Sequence, residues 1–390
     1  MTIETTQDDS TYKSFSGRRV ALVHDWLTGM RGGEMVLEEL CHLFPDADLY
    51  TIVHRKGSVS ELIENRRIFE SPIARMPMGR EHYRKYLPLF PWAIESFDFR
   101  GYELIISTSS SVAKGIIPPP DALHVSYLHT PMRYIWDMRS DYLNSERVNR
   151  LGRFVGGWCA HYLRNWDVSS SARVDQFIAN SKHVRNRIWK YYRRDSVVIY
   201  PPVAIEKFTP GTHHEDFYMT ASALVPYKRI DLAVKACTEM SKNLIVVGNG
   251  SEIRYLQSIA GKTVKFVGAQ SPAQLAGLYK KCLAMIHPGE EDFGIAPVEV
   301  QAAGRPVIAY KRGGVLETVI GEGENRTGTF FEEQTVESLM AVLDGFENIH
   351  FDPEVIRRNA VRFHSNRFRQ EIGQLIETCW NQSESRKSTT

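Results

Sequence analysis

Short apolar runs separated by longer stretches of mixed polarity set the rhythm of this chain. Runs at 20–23, 49–53, 104–107, 124–128 and 176–179 form a first series. Runs at 217–224, 244–247, 264–267, 283–287 and 307–310 form a second. Most are apolar throughout rather than alternating, which fits strands covered on both faces. With helix-length segments between several of them, the pattern predicts an α/β protein with parallel sheets under helices. Residues 151–166 read as a long helix broken early by Gly156-Gly157, and two helices remain beyond 336. There Phe363, Phe368, Ile372, Leu375, Ile376 and Cys379 trace one apolar face.

A chain of 390 residues with 43% hydrophobic and 24% charged residues suits two soluble domains, each with its own core. The expected division is a disordered stretch at 1–16, a first domain over 17–205, a linker over 206–216 and a second domain over 217–365. A helix at 366–382 and a tail at 383–390 follow. No apolar run approaches ~18 residues, so no membrane span is expected. The polar opening segment lacks the apolar stretch of a signal peptide. A net charge of +2 does not suggest nucleic acid. Cys41, Cys159, Cys237, Cys282 and Cys379 are scattered with no C-x-x-C pair, which fits free thiols in a reducing cytoplasm and no zinc site. Residues 182–194 carry six Lys or Arg among aromatics, and 75–92 mix basic residues with Met, Tyr, Leu, Phe and Trp. Each reads either as a packed helix with a solvated face or as a peripheral contact with an anionic membrane or lipid-linked acceptor.

The candidate chemistry collects where runs end. The first run stops at His24-Asp25-Trp26, and a loop containing Gly32-Gly33 precedes an amphipathic helix at 35–44. Glycines there let backbone N–H groups approach a phosphate. The loop is neither G-x-G-x-x-G nor a Walker A sequence, which argues against a nicotinamide-dependent oxidoreductase. His129 follows a strand and opens the string His129-Thr130-Pro131-Met132-Arg133-Tyr134-Ile135-Trp136-Asp137, at the strand end where open α/β sheets bind ligands. In the second half Lys228 and Arg229 sit in a strand-to-helix loop, where a cation can neutralise a leaving diphosphate. Gly248 and Gly250 open another strand–loop–helix unit. The densest stretch is 283–317. A strand ends at Pro288-Gly289, and Glu291, Asp292, Phe293, Gly294 and Ile295 lead into a helix carrying Pro297 and Glu299. The free amides of such a helix start attract phosphate, while carboxylates beside it accept hydrogen bonds from sugar hydroxyls. That combination suits a nucleotide sugar.

Glu291-x7-Glu299 within E-D-F-G-I-A-P-V-E, followed by Gly304-x-Pro306-Val307 and Gly313-Gly314-x-x-Glu317, resembles the signature of the retaining GT-B glycosyltransferases of family 4. The resemblance extends over about 18–380 and implies two Rossmann-like domains facing a cleft, with the C-terminal helix crossing back to the first domain. It implies that Glu299 takes the ribose hydroxyls, Glu291 the donor sugar and His129 the sugar near the reacting centre. Lys228, Arg229, Gly32, Gly33, Gly248, Gly250, Phe293, Gly294 and Ile295 would line the donor, with Val267 beside the base. Asp25, Trp26, Arg133, Tyr134, Trp136 and Asp137 would lie on the acceptor side. The family usually has an arginine five positions before the lysine, and here that position is Ala223. The H-x-P-x-R-Y-x-W-D string is similar to that of mannosyltransferases of O-antigen and exopolysaccharide assembly. The implied reaction is retaining transfer of mannose from GDP-mannose to a lipid-linked saccharide in bacterial surface polysaccharide synthesis, without metal or other cofactor. The place implied is the cytoplasm or the inner face of the membrane. A UDP-sugar or other donor, and a non-catalytic nucleotide-sugar-binding scaffold, stay open as alternatives.

Overall fold

The computed structural model describes residues 15, 17–137, 150–211 and 213–388. Their backbone divides into two units, the first drawn from Met1–Pro201 and Phe368–Thr390 and the second Pro202–Arg367. The first unit is built on seven parallel strands, β1 (Val20–His24), β2 (Asp48–Thr51), β3 (Ile68–Glu70), β4 (Leu104–Ser109), β5 (Leu123–Leu128), β6 (Gln176–Ala179) and β7 (Ser196–Val198). They run in the order β3-β2-β1-β4-β5-β6-β7. All five β1 positions are buried. Its side chains alternate between two cores, as a strand's two-residue period requires. Val20 and Leu22 meet the helix Gly32–Leu43, while Ala21 and Val23 share a core with Phe90, Ile94 and Leu163.

The second unit has six parallel strands, β8 (Tyr218–Ala221), β9 (Leu244–Val247), β10 (Val264–Gly268), β11 (Ala284–His287), β12 (Val307–Tyr310) and β13 (Gly328–Phe331). Their order is β10-β9-β8-β11-β12-β13. Both units are Rossmann-like, as the resemblance implies, and their sheets are parallel, as the apolar runs predict. The helix Ser365–Lys387 belongs from Phe368 onward to the first unit. Phe368, Ile372, Ile376 and Trp380 recur every fourth residue and are buried against the core that holds Leu22 and Leu37. Each such side chain contributes about 1.5–3 kcal/mol by leaving water.

Several boundaries differ from expectation, each for a local reason. Of the stretch expected to be disordered, Phe15 is described, and it is buried edge-on against Phe44 and Trp380. The rest of 1–16 lies outside the described residues. Gly156-Gly157 does not break its helix, which runs Arg150–Ser170. Two glycines cost about 2 kcal/mol of helix propensity, and the buried Ala160, Leu163 and Trp166 further along offset it. Helix Gly32–Leu43 begins early enough to hold Gly32 and Gly33 in its first turn rather than in a loop. Within 206–216, Phe208 packs on Tyr279, its carbonyl accepts from Arg357, and the Glu215 amide donates to the Lys281 carbonyl. Those bonds bind the expected linker into the second unit. The last helix continues to Lys387, inside the expected tail, where Lys387 pairs with Glu384 at 2.9 Å.

Candidate functional site

In the second unit the site grows from the carboxyl ends of β8, β11 and β12. β11 is buried at all four positions and ends at His287. The chain turns at Pro288-Gly289 and re-enters a helix, Ile295–Ala302, whose N-cap is Gly294 at φ 87° with no side-chain cap. The N-cap itself thus occupies none of the first-turn amides, the groups through which a helix start attracts an anion. Glu291 sits on the intervening loop. Its Oε1 lies 2.5 Å from Lys228 Nζ and 3.5 Å from His287 Nε2. The loop after β12 clamps it from the other side, Gly313 bridging Glu291 and the Gly314 amide donating to the Glu291 carbonyl at 2.8 Å. Both glycines are needed there, because a Cβ on Gly313 would lie 2.4 Å from the Glu291 carbonyl oxygen and one on Gly314 2.3 Å from that of Asp292.

Glu299, inside the helix, accepts from the Tyr279 hydroxyl at 3.1 Å. Burial pushes its carboxyl above the ordinary value, against the opposing pull of Tyr279 and Lys207. Lys228 ends a 3-10 turn, Pro226–Lys228, with its ammonium 5.3 Å from the Tyr227 ring. Arg229 stands in the left-handed region at φ 51°, and its guanidinium pairs with Asp231 at 3.0 Å. Arg229 is thus engaged on its own helix start, and Ala223 leaves its position without a charge. Phe293 is a core anchor, edge-on to Phe363 at 5.4 Å. Gly248 and Gly250 serve backbone packing, since added Cβ atoms would lie 1.9 Å from the Ser222 oxygen and 2.1 Å from the Leu224 oxygen. Val267 is 39% exposed, and its carbonyl accepts from Gln270 Nε2 at 2.6 Å.

The first unit gathers a second cluster at the ends of β1, β4 and β5. His24 Nδ1 meets Thr108 Oγ1 at 2.6 Å, and His24 Nε2 lies 3.7 Å from Glu34 Oε1. Glu34 Oε2 accepts from the Arg31 amide at 3.0 Å, closing the helix start. Burial pushes the Glu34 carboxyl up, but His24 and, more weakly, His129 bring it below the ordinary value. A Cβ on Gly33 would stand 3.4 Å from both His129 Nε2 and His24 Cε1. Gly33 and His129, both half-buried, therefore share one corner with the buried His24 and Glu34.

The residues expected on the acceptor side are mostly bound to their own domain. Asp25 accepts four hydrogen bonds, from the amides of Ser110, Val112 and Ala113 and the Ser110 hydroxyl. It clamps the loop after β4. Trp26 packs on Tyr83 at 5.4 Å. Tyr134 meets Ser111 Oγ at 2.7 Å. Trp136 stacks on Tyr191 at 4.4 Å and donates to Asp167 at 2.8 Å. Asp137 is held by Arg187 and Tyr191. The basic, aromatic helix Lys182–Tyr192 thus spends Arg187, Tyr191 and Tyr192 on anchoring this segment and Asp167. Arg133 is half-buried.

Sequence reasoning missed His24, Glu34, His287, Tyr279 and the fully buried pair Lys114–Asp167 at 3.0 Å. Only the two histidines carried a signal, as polar residues ending apolar runs. Among the described residues no group of three or more His, Cys, Asp or Glu is placed to hold a metal ion. Nor, among them, is any helix long and apolar enough to cross a membrane.

Comparison with known proteins fits this geometry. The family model for Glycosyltransferase Family 4 matches residues 30–207, and that for Glycosyl transferases group 1 matches 202–362. The O-antigen chain mannosyltransferase RfbU of Salmonella typhimurium is 31% identical over 159 residues, 38% of this chain and 45% of that one. A D-inositol 3-phosphate glycosyltransferase of Segniliparus rotundus is 28% identical over 173 residues, 37% of this chain and 38% of that one. The chain spans less than half the length of these curated relatives. The crystal structure of Anabaena HepE in complex with UDP superposes with a TM-score of 0.65 at 16% identity, covering 92% of this chain and 100% of that one. With the two-sheet architecture shared with solved structures, the chain carries the GT-B fold, its first half matched by the glycosyltransferase family 4 model and its second by the group 1 glycosyl transferase model.

Proposed function

We propose that the chain is a retaining hexosyltransferase that moves mannose from GDP-mannose to a hydroxyl of a lipid-linked saccharide. The observation that carries this reading is the ion pair of Lys228 and Glu291 beside the uncapped start of the helix bearing Glu299. Lys228 and the helix-start amides take the diphosphate charge, Glu291 accepts from donor-sugar hydroxyls and Glu299 from the ribose. The anomeric bond to the diphosphate breaks as the acceptor oxygen bonds to the same face of the anomeric carbon. The acceptor proton passes to the leaving phosphate oxygen. From the first unit, the same reading gives His129 a role toward the sugar and the Gly32-Gly33 helix start a role toward the phosphates. A mannosyltransferase name on the Salmonella relative supports mannose, and the fixed donors make added metal unnecessary for leaving-group stabilisation.

The acceptor's lipid would lie at the membrane's inner face, met by exposed Met78, Leu89 and Trp92 with Arg84 and Lys85 between them. A second reading, a non-catalytic nucleotide-sugar-binding scaffold, is favoured by one observation, Ala223 beside an Arg229 already paired with Asp231. Calorimetry with GDP, UDP and ADP in the absence of added metal tests the donor first. Tight GDP binding followed by GDP-mannose turnover is the expected result. Preference for UDP would overturn the donor, and binding without turnover of any sugar nucleotide would favour the scaffold. Glu291→Ala should abolish transfer while GDP still binds. Parallel loss of both would remove Glu291 from the sugar.

A further inference from the structure

Lys228 is asked to serve two anions. In the structure it holds Glu291 at 2.5 Å, yet the proposed reaction needs it on the diphosphate. When it turns there, Glu291 Oε1 gives up the Lys228 ammonium at the moment the carboxylate must be held to receive sugar hydroxyls. The residue placed to replace Lys228 is His287, the last of β11. The residue is 5% exposed, and its Nε2 lies 3.5 Å from the same Oε1 that Lys228 holds. That atom is shut off from water and makes no hydrogen bond among the described residues. A closure of about 0.5 Å would make a good one.

We propose that His287 is a positioning residue for Glu291: its Nε2–H takes over the carboxylate oxygen that Lys228 releases when a nucleoside diphosphate sugar binds. This rests on the transferase reading for its ligand, but the hand-over itself is a property of three side chains, His287 at the end of β11 and Glu291 and Lys228 in the turns that follow β11 and β8. The proximity is built by the Pro288-Gly289 turn, which folds Glu291 back over the strand end. The charged groups acting on the ring are Glu291 and Lys228. Burial holds the imidazole below its ordinary value, Glu291 pulls it up and Lys228 pushes it down again. A neutral ring can donate through Nε2 without adding charge to a site that must accept a diphosphate.

Removing Lys228 imitates its departure and needs no substrate. With 15N-histidine NMR on the full chain, His287 assigned by difference from His287→Gln, Lys228→Met should move the Nε2–H resonance downfield and raise the ring's titration, because the cation that pushes it down is gone. Lys228→Met combined with Glu291→Gln should cancel both changes. A His287 signal indifferent to Lys228→Met overturns the proposal. In turnover assays His287→Phe should lower kcat at least tenfold with GDP binding unchanged. His287→Gln, whose amide reaches the same place, should recover most of it. Wild-type kcat in His287→Phe, or a His287→Gln variant as poor as His287→Phe, also overturns it. Absence of turnover in the wild-type protein with every sugar nucleotide would sink the transferase reading alone, and the NMR comparison would still decide this one.

Discussion

Replacing His124 with glutamine should flatten the acid side of the first unit's stability. His124 opens the interior of β5, fully buried, with Nε2 at 2.9 Å from Ser107 Oγ and Nδ1 at 3.1 Å from the Arg173 carbonyl. Burial is the chief cause of a ring titration pushed down to about 4, and the charges of Lys114 and Arg173 add to it. The unfolded chain protonates this ring near its ordinary 6.5. Between those values the unfolded state binds a proton that the fold refuses. The His124 contribution is therefore fully present above about pH 6.5 and falls as pH drops toward about 4, where the loss levels off. A gap of about 2.5 units is worth about 3 kcal/mol in total, and roughly 2 kcal/mol of it should appear between pH 7 and 5. All seven tryptophans (Trp26, Trp92, Trp136, Trp158, Trp166, Trp189 and Trp380) lie in the first unit, so indole fluorescence follows its unfolding without interference from the second. Urea titrations of wild type and His124→Gln at pH 7 and 5 give the difference directly. Carboxylates that titrate in the same range act on both proteins and cancel. His124→Gln carries a packing cost at every pH, but its disadvantage should shrink by about 2 kcal/mol on going to pH 5. A pH-independent difference would refute the argument.

Other substitutions probe the remaining features. Lys114→Met strands Asp167 without its counter-charge in a dry site and should cost about 3–5 kcal/mol by the same fluorescence assay. Lys114→Met with Asp167→Leu should recover part of it. Gly33→Ala puts a Cβ 3.4 Å from two imidazole atoms. It should lower kcat/KM about tenfold while Tm moves by only a few degrees, and unchanged kinetics would take Gly33 out of the site. Tyr279→Phe removes the hydroxyl on Glu299, whose carboxyl burial already pushes up. Its titration should rise further, so GDP affinity measured calorimetrically should fall relative to wild type as pH drops from 7 to 5.

What could be read along the chain was whatever depends on neighbours in sequence. The continuous apolar runs of β1, β4 and β11 became fully buried parallel strands, and the E-D-F-G-I-A-P-V-E string placed a helix start at Gly294–Ile295 with Glu299 inside it. The stripe from Phe368 to Ile376 marked a buried face. Features that depend on distant partners were invisible. Asp25 clamps a loop some 85 residues away, and Asp137 is held by Arg187, 50 residues on. The basic helix left a packed face and a lipid surface both open, because its use of Arg187 and Tyr191 to hold Asp137 and Trp136 depends on partners about 50 residues away. The first turn at Gly32-Gly33 was hidden because Arg31 carries no Ser, Thr, Asp or Asn capping signal. His287 was legible as a strand end, and its relation to Glu291 exists only once the Pro288-Gly289 turn has folded.

The return of the final helix to the first unit bears on how the protein is made. The ribosome delivers every strand of the first unit early, but the wall formed by Phe368, Ile372, Ile376 and Trp380 arrives only after the whole of Pro202–Arg367 has been synthesised. The second unit is continuous in sequence, so it can finish folding while the older one still shows an open apolar flank over Leu22, Leu37 and Tyr127. Exposed flanks of that kind attract chaperones and mispairing between nascent chains. Stalling translation just before residue 368 should therefore yield a protein whose first-made half is the aggregation-prone one.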